Sequence, residues 1–395
     1  MMRLLLITNR YPAGPDDPAS PFVPHFVDAL VEAGISVDVL TPDYGFREQA
    51  NGVIQIHRFP TGATVPIGSW NYLSPFSWLR LERFVSNGVA AGRDLCASNH
   101  YDHILALWAL PSGHFAQRLS AEFGIPYSVW CLGSDIYAWA ERPIFRTRIE
   151  RVLRGAQCVF ADGNDLCRRI NNWLGIDAQF MPSFRPLHGV DDAAPPQTTS
   201  APKYLYLGRL HRAKGVYELL EAFRIVREKS PNASLTFVGG GPALKELTAR
   251  VAAADIAKHV RLLGPVGNAE IIEQLRACDC VVIPSRSDSI PLVLTEAVQA
   301  NRPVIGTNVG DLGAMIREYG LGAVTESIEP WTLAQTMLAV AESPSIDSEG
   351  RRHLLDCMRP GRAVETFLNA LTPQGQQDSS TENSPTSLRK AAYSE

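Results

Sequence analysis

The 395-residue sequence contains no apolar run approaching the ~18–20 residues of a membrane-spanning helix. Its first segment, Arg3-Leu4-Leu5-Leu6-Ile7-Thr8-Asn9, is too short for the apolar core of a secretory leader and runs straight into polar, proline-rich sequence. It reads as a buried first strand, and the chain is expected in the cytoplasm. Cysteine patterning is missing too. The seven cysteines, at 96, 131, 158, 167, 278, 280 and 357, are odd in number and form neither a Cys-x-x-Cys nor a Cys/His cluster at zinc spacing, so reduced, mostly buried thiols are expected. Charge of one sign is lacking: 37 Lys plus Arg against 41 Asp plus Glu leave −4, so no global basic field holds nucleic acid or an anionic membrane. Phosphate binding must be local. No G-x-G-x-x-G follows a strand pattern and no G-x-x-x-x-G-K-[ST] occurs, which takes weight from dehydrogenase and P-loop NTPase readings.

What is present is a globular composition, 45% apolar and 20% charged, with length for two or three domains. Short β-rich apolar runs alternate with helical patterns at βαβ spacing, which predicts parallel sheets covered by helices on both faces. The first half gives strands at 3–8, 36–40, 53–58, 103–107, 127–131 and 157–161, with helices near 22–33, 76–98, 113–123 and 163–174. Residues 186–202 have a linker's Pro/Gly/Ser/Thr composition. The pattern then restarts, with strands at 203–208, 234–239, 259–263, 279–283, 303–306 and 321–324 and helices near 215–228, 242–254, 268–276, 291–301 and 330–342. The expected organisation is two Rossmann-like doubly wound α/β domains, 1–185 and 203–358, facing across a cleft. A helix at 359–371 is expected to pack back on the N-terminal domain, and the polar tail 372–395 to remain disordered.

Three motifs fall in the second half. Gly208-Arg209-Leu210-His211-Arg212-Ala213-Lys214-Gly215 lies between a strand and a helix. Arg209 and Lys214 can there converge on one anionic group, a diphosphate being the natural guest, beside the positive end of the helix. Alone, the octapeptide reads more readily as a solvated loop. Gly239-Gly240-Gly241-Pro242 follows the next strand, where glycines permit close backbone approach to a ligand or simply make a tight turn. In Pro284-Ser285-Arg286-Ser287-Asp288-Ser289-Ile290-Pro291-Leu292-Val293-Leu294-Thr295-Glu296-Ala297, Pro291 marks a helix start. That places Asp288 in the preceding loop and Glu296 inside the helix, with the Leu292 and Val293 amides able to meet a phosphate. One carboxylate can then accept from sugar hydroxyls and the other from a ribose.

Together, in this order and spacing, the motifs resemble the retaining GT-B glycosyltransferases of family 4. The resemblance extends to Asn301-Arg302-Pro303-Val304-Ile305 and Asn308-Val309-Gly310-Asp311 and covers nearly the whole chain. It implies that Arg209, Lys214 and Asp288 are catalytic, that Glu296 holds the ribose, and that Gly208, Gly240, Gly241, Ser289, Ile290, Pro291, Leu292 and Val293 bind substrate. It further implies a UDP-, GDP- or ADP-sugar donor, a glycan or lipid-linked acceptor and no metal cofactor, since the cations take the metal's place. In the first domain, Tyr11 to Phe22 loosely matches the family's acceptor loop, with Gly14 its glycine. Trp130-Cys131-Leu132-Gly133-Ser134-Asp135 resembles a segment that usually carries histidine at the Leu132 position, making Asp135 a substrate-binding candidate.

Residues 65–84, with Trp70, Tyr72, Phe76, Trp78 and Phe84, read either as core or as a membrane-interface or lipid-acceptor surface. The arginines at 142, 146, 148, 151 and 154 read as a solvated helix face or as a contact for lipid phosphates at the inner membrane face. His114, His211 and His259 read as structural. A sugar-nucleotide epimerase and a noncatalytic nucleotide-sugar-binding subunit are the rival functions.

Overall fold

The first strand, β1 (Arg3–Ile7), buries Leu4 through Ile7 completely, as a strand covered on both faces must. The computed structural model describes residues 1–12, 14, 17, 20–44, 54–62, 74–190, 199–254 and 256–372. In its first half follow α1 (Phe22–Glu32), β2 (Ser36–Asp43), β3 (Gln55–Pro60), α2 (Pro75–Ser98), β4 (His103–Leu107), α3 (Ser112–Phe123), β5 (Tyr127–Cys131), α4 (Pro143–Gly155), β6 (Cys158–Ala161), α5 (Asn164–Leu174) and β7 (Gln179–Phe180). The seven strands form one parallel sheet in the order β3-β2-β1-β4-β5-β6-β7.

The second half repeats the plan with β8 (Lys203–Leu207), α6 (Val216–Lys229), β9 (Ser234–Val238), α7 (Leu244–Ala253), β10 (Val260–Gly264), α8 (Asn268–Ala277), β11 (Cys280–Ile283), α9 (Leu292–Gln299), β12 (Val304–Thr307), α10 (Leu312–Glu318), β13 (Gly322–Thr325), α11 (Pro330–Glu342) and α12 (Ser348–Met358). Its parallel sheet runs β10-β9-β8-β11-β12-β13. In each sheet the strand order reverses beside the first strand, between β1 and β4 and between β8 and β11. Open α/β sheets bind ligands at that switch point, off the carboxyl ends of the strands.

The last helix, α13 (Pro360–Leu371), crosses back to lie on α1. Its Phe367 is fully buried, edge-on to Phe160 of β6 and His103 of β4, so the end of the described chain completes the core of the first domain. The aromatic stretch divides. Phe84 is core, packed on Phe59 and Phe115, whereas Phe76, Trp78 and Leu79 are exposed, and the Trp70 and Tyr72 readings lie outside the described residues, as does the 373–395 part of the tail.

Where the halves meet, α5 begins at Gly163, which has no side chain to cap it. Asp311 of the second domain does so instead: the Asp165 N–H donates to its two carboxylate oxygens at 3.1 and 3.0 Å, and Arg168 lies 3.8 Å away. A Cβ at position 163 would run into Ser289 Oγ and Asp311 Oδ2, so glycine there lets the domains approach. A helix start in one domain is thus capped by the other.

Candidate active site

A cavity of about 500 Å³ lies between the two sheets, within the range of small-molecule sites. Its walls come from strand ends of both domains: Trp108 after β4, Leu132 after β5 and Asp162 after β6 on one side, and the turns after β8, β9 and β11 on the other. The structure brings Gly208, Arg209, Lys214, Gly240, Asp288, Ile290, Pro291, Leu292, Val293 and Glu296 together in that wall.

The β8 turn is locally determined. His211 Nδ1 accepts from the Ala213 N–H at 3.0 Å and starts a single 3₁₀ turn, Arg212 to Lys214. Gly215 ends it at φ +68°, where a Cβ would strike the Pro284 carbonyl, so the Lys-Gly pair is a steric requirement of the loop that carries Asp288. Arg209 is exposed to the cavity and forms no ion pair among the described residues. Lys214 Nζ donates to Asp288 Oδ2 at 2.5 Å, and Ser285 Oγ donates to the same oxygen at 3.0 Å. The lysine read as a diphosphate ligand is thus already held by the carboxylate read as a sugar ligand. An ammonium has three donors, so it can keep Asp288 and still meet a phosphate.

Glu296 is buried inside α9, and its Oε1 lies 2.7 Å from Arg185 Nη2. Burial raises the carboxyl's pKa and the guanidinium opposes that rise. Both groups line the cavity, so the pair presents a fixed polar edge there. Arg185 had no sequence signal, because it sits in the crossover before the linker, far from any motif.

The remaining candidates lie outside the cavity wall. Asp135 is not in the cavity: its carboxylate accepts from the Ala109 N–H at 2.9 Å and the Leu132 N–H at 3.2 Å, tying two strand ends together. Gly14 does not line the cavity either, although Pro21 and Phe22 beyond it do. Gly241, at φ +153°, serves the protein's own backbone, for a Cβ would meet the Leu210 carbonyl. With the Leu210 N–H donating to Gly240 O at 2.8 Å and the Ala243 N–H to Leu210 O at 3.0 Å, the glycine turn braces the Arg209 turn while Gly240 lines the cavity. Ser289 lies in the seam beside Gly163, outside the cavity wall, with its hydroxyl buried and unpartnered.

Asp162 is the residue the sequence reading missed. Its N–H donates to Cys131 O at 3.1 Å, which fixes it at the end of β6, and its side chain lines the cavity. Only 6% exposed, it has an Oδ1 with no hydrogen-bond partner. Burial pushes this carboxyl up to about 8; the Ser289 hydroxyl beside it opposes that rise, and the fields of Asp135, Asp288 and Asp311 add to it. Among the described residues no group of three or more His, Cys, Asp or Glu side chains is arranged to hold a metal ion, and no helix is long and apolar enough to cross a membrane.

Two Rossmann-like domains facing each other across a crevice make the GT-B fold. Family models match both halves: residues 191–354 match the family described as Glycosyl transferases group 1, and residues 19–180 the Glycosyl transferase 4-like domain. The chain belongs to glycosyltransferase family 4. It is 26% identical over 342 residues to the glycosyltransferase TuaC of Bacillus subtilis (strain 168), provisionally assigned to teichuronic acid biosynthesis, spanning 80% of this chain and 84% of that one. It is 25% identical over 381 residues to a D-inositol 3-phosphate glycosyltransferase of Geodermatophilus obscurus, spanning 88% and 83%. Among solved structures it shares its fold with sucrose-phosphate synthase of Thermosynechococcus elongatus (TM-score 0.76, 17% identity, 93% and 98% of the two chains). It does so too with Anabaena HepE in complex with UDP and glucose (TM-score 0.71, 16% identity, 94% and 99%).

Proposed function

We propose that the chain is a retaining, metal-independent hexosyltransferase that moves a sugar from a UDP-, GDP- or ADP-sugar to a glycan or lipid-linked acceptor in cell-surface polysaccharide or glycolipid synthesis. The observation that carries this reading is the convergence of Arg209, Lys214 and the α9 start on one side of a cavity that also holds Asp288 and Glu296. TuaC's assigned pathway supports a polysaccharide product, and the UDP held by HepE supports a nucleotide-diphosphate donor.

In this reading the diphosphate lies against Arg209, Lys214 and the free amides at the start of α9, while Glu296, held by Arg185, accepts from the ribose hydroxyls. The glycosidic C1–O bond to the β-phosphate breaks, and the charge that develops on the departing oxygen is met by Arg209 and Lys214. The acceptor oxygen bonds to C1 on the face the phosphate leaves, and its proton passes to the departing phosphate oxygen, so no protein nucleophile is required. Retention is tested by the anomeric configuration of the first-formed product; an inverted anomer overturns it. Metal independence is tested by assay in EDTA, where activity restored only by Mn²⁺ or Mg²⁺ would contradict it.

The acceptor side favours a membrane-borne substrate. Phe76 (77% exposed) and Leu79 on α2 and Ile144 (61% exposed) on α4 are exposed, the two helices meet where Trp78 stacks on Phe145 at 6.0 Å, and Arg80, Arg83, Arg142 and Arg146 are exposed on or beside the same helices. Exposed apolar side chains and cations on neighbouring helices suit an anionic lipid surface. The protein should co-sediment with phosphatidylglycerol vesicles, and Phe76→Ser/Ile144→Ser should release it.

A further inference from the structure

The cleft has carboxyl groups on both of its walls. On the second domain Asp288 is already engaged by Lys214 and Ser285. On the first domain Asp162 is not: its backbone is pinned to β5, its side chain is almost wholly withdrawn from water, and one carboxyl oxygen has no partner. Leaving a buried polar atom unpaired costs on the order of 1–3 kcal/mol, so a position that keeps one invites a ligand group to complete it. The groups around Asp162 narrow the class of that ligand. Asp135, Asp288 and Asp311 surround it with negative field, which repels a phosphate or carboxylate. Its other near neighbour across the seam, Ser289, brings a neutral hydroxyl to it. A neutral, hydroxyl-rich group fits such a wall, and the hexose of a sugar nucleotide is one.

We infer that Asp162 reads a hydroxyl of the transferred sugar, from the opposite side of the cleft to Asp288, and so sets which sugar is used. The inference rests on the proposed donor, since it places the hexose between the two walls. The carboxyl's raised pKa agrees with it, for a protonated carboxyl donates one hydrogen bond and accepts others, the versatility a sugar hydroxyl needs.

Asp162→Asn is nearly isosteric with the protonated side chain and should fold, while Asp162→Ala removes the group altogether. Binding of UDP, UDP-glucose and UDP-galactose, and hydrolysis of the two sugar donors, would be measured for wild type and both variants by calorimetry and by UDP release. UDP affinity should stay within about twofold, since the nucleotide lies against the other domain. For the preferred sugar donor, Asp162→Ala should lower hydrolytic kcat/KM by about 3–10-fold, the worth of one hydrogen bond between neutral groups. Its preference between glucose and galactose should shrink, and Asp162→Asn should recover part of it. Parallel loss of UDP affinity would make the residue structural and overturn the inference. So would unchanged sugar discrimination, or a defect confined to transfer onto an acceptor. A protein that binds UDP but whose Asp162 variants match wild type fails this inference alone, whereas a wild type that binds none of UDP, GDP, ADP and their sugars in the same calorimetry fails the proposed function, and this inference with it.

Discussion

Arg185 Nη2 and Glu296 Oε1 are 2.7 Å apart, with 4% and 6% of their side chains exposed, and together they join the interdomain crossover to the helix that follows β11. Two buried charges tolerate each other only as a pair, and deleting one leaves the other without compensation. Arg185 also donates from Nη1 to Asn268 Oδ1 at 3.2 Å, and its carbonyl accepts from Gln299 Nε2 at 3.0 Å, so the crossover is tied to both α8 and α9.

Arg185→Ala should therefore destabilise the protein by about 3–5 kcal/mol in denaturant unfolding, while Arg185→Met/Glu296→Leu regains most of that stability and still loses nucleotide binding. A double variant that binds UDP as wild type does would take Glu296 out of the site. A single variant as stable as wild type would show that the pair is open to water.

The Asp311 cap on α5 predicts a coupled loss. Asp311→Ala removes both acceptors of the Asp165 N–H, which should cost about 0.5–2 kcal/mol, the usual worth of a helix cap, and should let the domains separate. Small-angle scattering should then report a larger radius of gyration than wild type under the same conditions. An unchanged radius with lowered stability would make the contact a cap and nothing more.

Asp162 gives a pH dependence with a definite sign. Its carboxyl titrates at about 8 in the native state, against about 3.9 for an exposed aspartate in an unfolded chain. Between those values the native state holds a proton that the unfolded state has released, so stability falls as pH rises from about 4 to about 8. Asp162→Asn is neutral throughout and escapes the penalty. The Tm of the variant relative to wild type should thus rise between pH 5 and pH 8, and a difference that stays constant would show that Asp162 ionises normally.

The sheets were legible because β-branched and apolar runs of strand length alternate with helical periods, and β4 and β5 fall at the expected residues. The elements that escaped carry weak local signals. β7 has two residues, α10 has seven with Gly313 near its start, and α12 buries only Leu354 and Met358 behind a polar Ser-Glu-Gly-Arg-Arg-His opening. Asp135, at the start of the turn Asp135–Trp139, is a substrate candidate by resemblance alone; the Ala109 amide that anchors its carboxylate is distant in sequence and leaves no local signal. The same division holds at the site. Arg209, Lys214, Asp288 and Glu296 stand in contiguous motifs whose turns are fixed by nearby residues, such as Gly215 against Pro284. Arg185 and Asp162 reach the cavity only through the crossover and the strand order, which no window of sequence contains.

The central claim, that Lys214 stabilises a departing diphosphate between the domains, is tested most directly by steady-state release of nucleoside diphosphate from UDP-, GDP- and ADP-sugars by purified wild type and Lys214→Ala. Wild type should turn over at least one donor, and the variant should lose about 10²–10³-fold in kcat with a modest rise in KM, the pattern of a group that acts chiefly as charge develops. A Lys214→Ala protein that keeps wild-type kcat on a donor the wild type uses would contradict the account.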